Sequence, residues 1–308
     1  MQSLLPKRFG KRSRGWIGLA FDAAGAAVLR LEPGAPLSVP RLTAATFIPA
    51  EQTDQLAAWV KQQGVTKWPA WAVLAAGEYQ VFQITAPDVP AAERCQAAQW
   101  QVRELLDYPV TQAVVDCFAP PAPSQRGEDR LNVVVARRTD IAARINQISQ
   151  ARLTLEVLDI PDLAQRNLSL CLREAAPDHA LLALDESQGL LTICRGEDLY
   201  LARWLSMGIP THPAMLDSLL LEVQRSLDYF EGTLGQPPIG KIYVHAGTED
   251  DLVSSLREQL GSVSWQPLAL TDLLEVNGPD LANLPQRALI LRALGAALRP
   301  DGQGASCS

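Results

Sequence analysis

The clearest hydrophobic pattern in the chain lies between residues 180 and 205. An apolar run is followed by a polar turn at 185–189, a second apolar run, another turn at 195–198 and a third apolar stretch. Short apolar runs joined by polar turns predict a three-stranded antiparallel meander. A weaker copy spans residues 16–31, around a turn at 22–25. The pattern therefore predicts two halves that each open on a β-hairpin, and thus an internal repeat.

A second pattern, over residues 86–158, predicts a smaller α/β unit inside the first half. Its long helix is expected over 91–107, and Pro109 ends it because a proline disfavours helical geometry in the residue before it. The unit begins and ends beside segments assigned to the first half, so we expect an insertion. The resulting division is a basic flexible tail (1–15), a first lobe (16–85 plus 159–178), the insert (86–158), a second lobe (179–299) and a disordered tail (300–308).

The composition excludes several classes of protein. The chain has 308 residues, of which 47% are hydrophobic and 20% charged, the balance of a globular protein with room for two lobes. Its net charge of −7 argues against a nucleic-acid binder. No apolar run approaches the roughly 18 residues that a membrane span requires. The N-terminus lacks the apolar core of a signal peptide.

The five cysteines are scattered, without a CxxC pair. This spacing favours reduced, buried thiols over a disulfide framework, and it points to the cytoplasm. Three isolated histidines give no metal-ligand spacing, so no metal site is expected. The chain also lacks the spacings typical of serine hydrolases, zinc proteases and Walker loops, so no catalytic residue is predicted.

The first 15 residues carry five basic side chains, and no acidic residue precedes Asp22. The basic residues are Lys7, Arg8, Lys11, Arg12 and Arg14. Two interpretations stay open for this tail. It is either a solvated, flexible segment or a peripheral contact with anionic membrane lipids, to which each basic residue contributes about 1 kcal/mol.

The order of several segments resembles the PilM family of type IV pilus assembly proteins, and within it the MshI branch that serves MSHA-type pili. These segments are IGLAFDAAGAAVLRL (17–31), WQVRELLDYPVTQAVVDCFAPP (100–121), LNVVVARRTDIAARINQISQARLTLEVLDIPDLAQRNL (131–168), LLLEVQRSLDYFEG (219–232) and LPQRALILRALGAALR (284–299). The resemblance implies a bilobal actin-like fold, a duplicated ribonuclease H-like α/β architecture. It further implies an inserted subdomain of the kind found in FtsA and PilM, and a reduced second lobe.

The resemblance also locates a degenerate nucleotide site. Relatives that hold nucleotide carry acids and glycines in both hairpins, because phosphate must approach the backbone closely. Here the acid positions hold Ala20 and Ala183, and the glycine positions hold Asp22 and Asp185. The later adenosine-side glycine pair reads Ala246-Gly247. The stretch between the second meander and the helix at 219 is also too short for a further subdomain. We therefore expect no ATPase activity and no bound ATP or Mg²⁺.

The function implied is that of a non-enzymatic adaptor, cytoplasmic and peripheral to the inner membrane. It would hold the N-terminal peptide of a PilN-like membrane protein in a groove built from parts of 70–85, 86–107 and 153–165. A pilus assembly ATPase is a further candidate partner. Two alternatives stay open: a GspL-type secretion adaptor, and a nucleotide-dependent switch or kinase on the same fold.

Overall fold

The structure is a computed structural model that describes residues 15–34, 39–52, 54–121, 129–172, 178–246, 249–278, 281 and 284–300. Apart from residues 15 and 300, the two predicted tails lie outside these ranges, and so does Gly247. None of the helices in the described ranges combines the length and the apolar character that a bilayer crossing requires.

The described residues form fourteen strands and seven α-helices. In chain order they are β1 (Trp16–Phe21), β2 (Gly25–Glu32), β3 (Arg41–Pro49), α1 (Asp54–Gln62), β4 (Pro69–Val73), β5 (Tyr79–Thr85), α2 (Arg94–Val102), β6 (Ala113–Phe118), β7 (Arg130–Arg137), α3 (Arg138–Gln150), β8 (Thr154–Asp159), α4 (Pro161–Ser169), β9 (Asp178–Leu184), β10 (Gly189–Arg195), β11 (Asp198–Leu205), α5 (Pro213–Asp228), β12 (Lys241–His245), α6 (Glu249–Gln259), β13 (Ser264–Pro267), β14 (Glu275–Val276) and α7 (Arg287–Ala297).

The first lobe is built on a six-stranded sheet. Strands β1, β2 and β3 form an antiparallel meander in which Leu19 lies opposite Val28. Strand β4 pairs parallel to β1, β8 pairs parallel to β4, and the short β14 pairs parallel to β3. The order is therefore β14-β3-β2-β1-β4-β8. The central strands are apolar on both faces because α1 and α3 cover one face and α7 covers the other.

The second lobe repeats this arrangement. Strands β9, β10 and β11 form the meander, β12 pairs parallel to β9, and β13 pairs parallel to β12. The order β11-β10-β9-β12-β13 is that of the first sheet without β14. Helices α5 and α6 bury their apolar sides against one face of this sheet. The predicted repeat of two hairpin-led halves is confirmed.

Two helices each pack on the sheet of the opposite lobe, and they contact each other between the two sheets. Helix α4, from the first half, lies on the second sheet, where Gln165 Nε2 donates to the carbonyls of Leu181 and Leu190 at 2.8 and 2.9 Å. Helix α7, from the second half, packs on β1. The crossing is so close that a Cβ at Gly295 would lie 2.3 Å from the carbonyl oxygen of Ala164. The two lobes therefore share one buried helix pair.

The inserted unit has its own three-stranded sheet in the order β5-β7-β6, with α2 packed on one face. Both of its borders differ from the predicted division. Strand β5 was assigned to the first lobe but pairs with β7, and β8 was assigned to the insert but pairs with β4. Helix α3 likewise buries Ile148 in the core of the first lobe. A hydrophobic pattern identifies a strand but not the strand with which it pairs.

The expectation that all cysteines are reduced is wrong. Cys95 of α2 and Cys117 of β6 are paired as a disulfide, with their Cα atoms 5.6 Å apart. The pairing depends on the packing of α2 against the small sheet, which a separation of 22 residues does not reveal. Cys171 and Cys194 are reduced thiols. Cysteine usage therefore no longer argues for a reducing compartment.

Candidate functional site

The tip of the first hairpin, between β1 and β2, is closed by its own aspartate. Oδ1 of Asp22 accepts the backbone N–H groups of Ala24 and Gly25 at 2.8 and 3.0 Å. This arrangement is an Asx turn, in which a side chain takes the place of a backbone acceptor. Gly25 is required there, because its φ is +154° and a Cβ would lie 2.1 Å from the carbonyl oxygen of Ile48. The N–H groups that a phosphate loop would present are used within the turn.

The tip of the second hairpin is closed in the same way, by the side chain of Asp185. Its Oδ1 accepts the N–H groups of Ser187 and Gln188 at 2.8 and 2.7 Å, and its Oδ2 pairs with the Arg292 guanidinium at 3.1 Å. Partial burial alone would raise the pKa of the Asp185 carboxyl. The two N–H donors and Arg292 outweigh burial and hold that pKa below its usual value. Asp185 is therefore an ionised acceptor with partners on both oxygens.

The link between β11 and α5 lies on this second tip. The N–H group of Ile209 donates to the main-chain carbonyl of Asp185 at 2.8 Å. Gly208 is so close that a Cβ would lie 2.1 Å from the same oxygen. No strand is present between residues 205 and 213, all of which are described. The short link thus covers the turn instead of forming a further subdomain.

A chain of polar and aromatic side chains joins the lobes and the insert beside this tip. The Arg292 guanidinium lies 5.1 Å from the centre of the Trp204 ring, and Trp204 Nε1 donates to the Tyr79 hydroxyl at 3.0 Å. The Tyr79 hydroxyl in turn donates to the Asp162 carboxylate. Burial raises the pKa of Tyr79 and also that of Asp162. We call these four residues, together with Asp185, the interlobe network.

The other predicted site residues lie in the core. Ala20 and Ala183 are 1% and 2% exposed and face the shared helix pair, and Ala246 is 3% exposed in the second lobe. Gly247 lies outside the described residues. Within the described ranges, no group of three or more His, Cys, Asp or Glu side chains is placed to hold a metal ion. The interlobe network was not foreseen, because side chains that contact each other in it, such as Tyr79 and Trp204, are as far as 125 residues apart in sequence.

A groove of about 430 Å³ lies between the small sheet and the first lobe, and we call it the insert groove. Its lining residues are Leu74, Val114, Asp116, Cys117, Phe118, Val134, Ala136, Ile141, Glu156, Val157, Leu158, Asp159, Ile160, Leu163 and Arg299. Most of these side chains are apolar, while Asp116 and Glu156 are exposed and give the groove an acidic rim. The groove therefore suits a ligand that is apolar and positively charged.

The insert groove differs from the predicted one on the side of the insert. Segments 70–85 and 153–165 contribute as expected, but β6, β7 and α3 replace the predicted 86–107 among the described lining residues. Helix α2 packs against Val133 and Val135, on one face of the small sheet. Val134 and Ala136 point to the opposite face, because successive side chains of a strand alternate. The groove lies on that opposite face.

The insert groove continues into a smaller, more polar cavity of about 150 Å³. The two cavities share Phe118, Asp159, Leu163 and Arg299. The smaller one reaches the β10–β11 turn of the second lobe, where Glu197 and Asp198 are exposed. One continuous surface thus runs from the insert across the first lobe to the second.

Comparison with known proteins identifies the fold. No protein-family model and no curated protein matches the chain. Among solved structures it is similar to a PilM–PilN type IV pilus biogenesis complex, with 22% identity over 92% of this chain and 97% of that chain, and a TM-score of 0.65. It is also similar to the cytoplasmic domain of EpsL, an inner membrane component of the type II secretion system of Vibrio cholerae (10% identity, 91% and 94% coverage, TM-score 0.53).

A third similar structure is a Bacteroides thetaiotaomicron protein with an actin-like ATPase fold and unknown function. It shares 7% identity over 87% of this chain and 95% of that chain, with a TM-score of 0.51. All three align with most of this chain. The chain therefore has a bilobal actin-like fold, and the predicted fold class is confirmed.

Proposed function

We propose that this protein is an adaptor of a type IV pilus machine that holds the N-terminal tail of a PilN-like inner-membrane protein in the insert groove. The observation that carries the proposal is the groove itself, apolar along its floor and acidic at its rim. The similar solved structure is a PilM–PilN type IV pilus biogenesis complex, in which PilN is the partner of PilM. We assign the protein to the MSHA branch on the sequence resemblance, and genes for MSHA pilins beside its own would test that assignment.

The negative charge of the rim is complementary to the positive charge expected of the ligand. Cytoplasmic segments next to a membrane span are rich in Lys and Arg. Such a tail would present positive charge to Asp116 and Glu156 while its apolar residues reach Val134, Ile141 and Leu163. The charges contribute mainly to the rate of association and to specificity, and the apolar contacts to residence time.

The test is the affinity of a labelled peptide of about 20 residues with the N-terminal sequence of the PilN-like protein encoded with this chain. We expect saturable binding at micromolar concentration. Asp116→Lys should weaken it about three- to tenfold at low salt and less at high salt. Asp217→Lys makes the same charge change on the exposed side of α5, away from the groove, and should leave affinity unchanged. No binding by the unaltered chain would refute the proposal.

We further propose that the protein is not an ATPase and holds no nucleotide. The support is that both hairpin carboxylates already take the turn N–H groups, and that Arg292 neutralises the second carboxylate. A triphosphate would have to displace both carboxylates from the turn N–H groups, and at Asp22 it would also face a negative charge. Fold alone does not establish such an activity, because one fold supports many functions.

We place the protein in the cytoplasm, at the inner membrane, because the partner tail would be there. The basic residues at 7–14 lie outside the described residues, so their contact with lipid is a separate proposal. Co-sedimentation with anionic vesicles should drop when residues 1–14 are deleted.

The type II secretion adaptor is the second candidate, supported by the EpsL domain among the similar structures. A peptide from the cytoplasmic tail of a secretion-system partner would be the competing ligand in the binding test.

A further inference from the structure

Two sheets end at the insert groove. Strand β8 is the last strand of the six-stranded sheet, and β6 is the last strand of the small sheet. An edge strand carries a row of backbone N–H and C=O groups on its outer side, which can pair with another strand. Both edges border the same cavity.

The lining residues show that the groove lies beside the edge of β8 and not over one of its faces. A space above a face touches every second side chain, because successive side chains point to opposite faces. Here the consecutive residues Val157, Leu158 and Asp159 all line the groove, and Glu156 joins them at a bulge in the pairing with β4. Strand β7 contributes only Val134 and Ala136, which share one face and form the floor.

We propose that the partner tail binds as an added β-strand along the outer edge of β8, extending the sheet of the first lobe. This inference rests on the proposed function and adds the mode of recognition. In strand addition the main-chain hydrogen bonds supply affinity, and alternate side chains supply specificity. The side chains on one face of the tail would meet the apolar floor, and those on the other face would meet the acidic rim.

The occupant is therefore an extended segment with apolar residues at alternate positions and Lys or Arg between them. An amphipathic helix would need anchors at spacings of three and four. Beyond the strand, the smaller cavity would carry the tail toward Glu197 and Asp198 in the second lobe. A tail that reaches this turn contacts the insert and both lobes.

The first experiment uses the full chain and the same labelled peptide, with single N-methyl groups introduced along its backbone. N-methylation removes the N–H donor and puts a methyl group toward the pairing strand. We expect losses of about tenfold or more at every second residue and less than about threefold at the residues between. Uniform tolerance, or losses with a period of three to four, would overturn strand addition. If the unmodified peptide does not bind at all, the proposed function itself fails.

The second experiment follows amide hydrogen exchange of the chain with and without peptide. Exchange should slow in residues 156–159, because the outward N–H groups of β8 become hydrogen-bonded. Strand β13 is the end strand of the second sheet that contributes no residue to either cavity, and it serves as the matched edge, whose exchange should not change. Binding with unchanged exchange in β8 would overturn strand addition and leave the proposed function in place. Equal slowing in β13 would also count against strand addition at β8.

Discussion

At the scale of single residues, two aspartates perform one task at equivalent positions in the two halves. Asp22 and Asp185 each accept the N–H groups two and three residues further along the chain. The sequence alone indicated only that an acid would repel phosphate. The structure adds that each acid accepts the N–H groups of its own turn. In the second half, Arg292 completes the arrangement.

Replacing Asp185 should expose this difference between the halves. Asp185→Ala leaves two turn N–H groups and a buried guanidinium without their acceptor, so we expect a loss of about 2–4 kcal/mol in the free energy of unfolding. Asp22→Ala, the matched change at the turn for which the described residues give no arginine pair, should cost about 1 kcal/mol. Denaturant titration measures both. Equal losses would show that the Arg292 pair contributes nothing.

The lowered pKa of Asp185 predicts an effect of pH. The unfolded carboxyl takes up its proton at a higher pH than the folded one, so its stabilising effect is present above the unfolded pKa and is lost as pH falls through the folded pKa. The Asp185→Asn variant lacks this titration. The stability advantage of the natural chain over Asp185→Asn should stay constant from neutral pH to about pH 4 and then shrink. An advantage that persists unchanged in stronger acid would contradict the assigned ion pair.

At the scale of elements, the crossing of α4 and α7 depends on a residue without a side chain. A Cβ at Gly295 would meet the carbonyl carbon and oxygen of Ala164 at 2.6 and 2.3 Å, and backbone atoms in a helix cannot move aside cheaply. The same helix meets β1 at Gly18, where a Cβ would be 2.6 Å from the carbonyl oxygen of Ala293. Small residues thus set how closely the lobes approach.

Gly295→Ala should therefore destabilise the protein, although alanine is the better helix former by about 1 kcal/mol. Overpacking of a tight contact costs about 1–3 kcal/mol, and we expect this steric cost to exceed the gain in helix propensity. Gly232→Ala is the control, because nothing lies within 4 Å of a Cβ there. Thermal unfolding should show a lower Tm for the first variant and an unchanged or slightly raised Tm for the second. A neutral Gly295→Ala would mean that the helices separate easily.

The elements also show what a sequence can predict. The two hairpins, the repeat and the Asp22 and Asp185 turns were predictable because their signals are local. The helix expected over 91–107 is α-helical only over Arg94–Val102, with 3-10 turns on both sides. Strand β14 was missed because two residues carry no periodicity. The Cys95–Cys117 pair and the wall of the insert groove depend on which surfaces pack together, and no local pattern records that.

At the scale of the whole molecule, the protein joins its lobes with its own side chains. Asp185 and Trp204 belong to the second lobe, Asp162 begins α4, and Tyr79 belongs to the insert. Arg292, which lies in α7, joins the interlobe network through its ion pair with Asp185 and its contact with the Trp204 ring. The lobes are therefore connected by side chains of the polypeptide itself.

This connection leads to the expectation that Mg²⁺-ATP does not stabilise the protein. A ligand at about 100 times its Kd would add about 2.7 kcal/mol to the free energy of unfolding, which raises Tm by several degrees. Millimolar Mg²⁺-ATP should leave Tm unchanged and give no saturable heat in calorimetry, because the turn donors and the Arg292 charge are already taken. An actin-like protein that binds nucleotide serves as the positive control. Saturable, Mg²⁺-dependent binding would show that phosphate displaces the two carboxylates, and the proposed function would then have to be reconsidered in favour of a nucleotide-dependent switch.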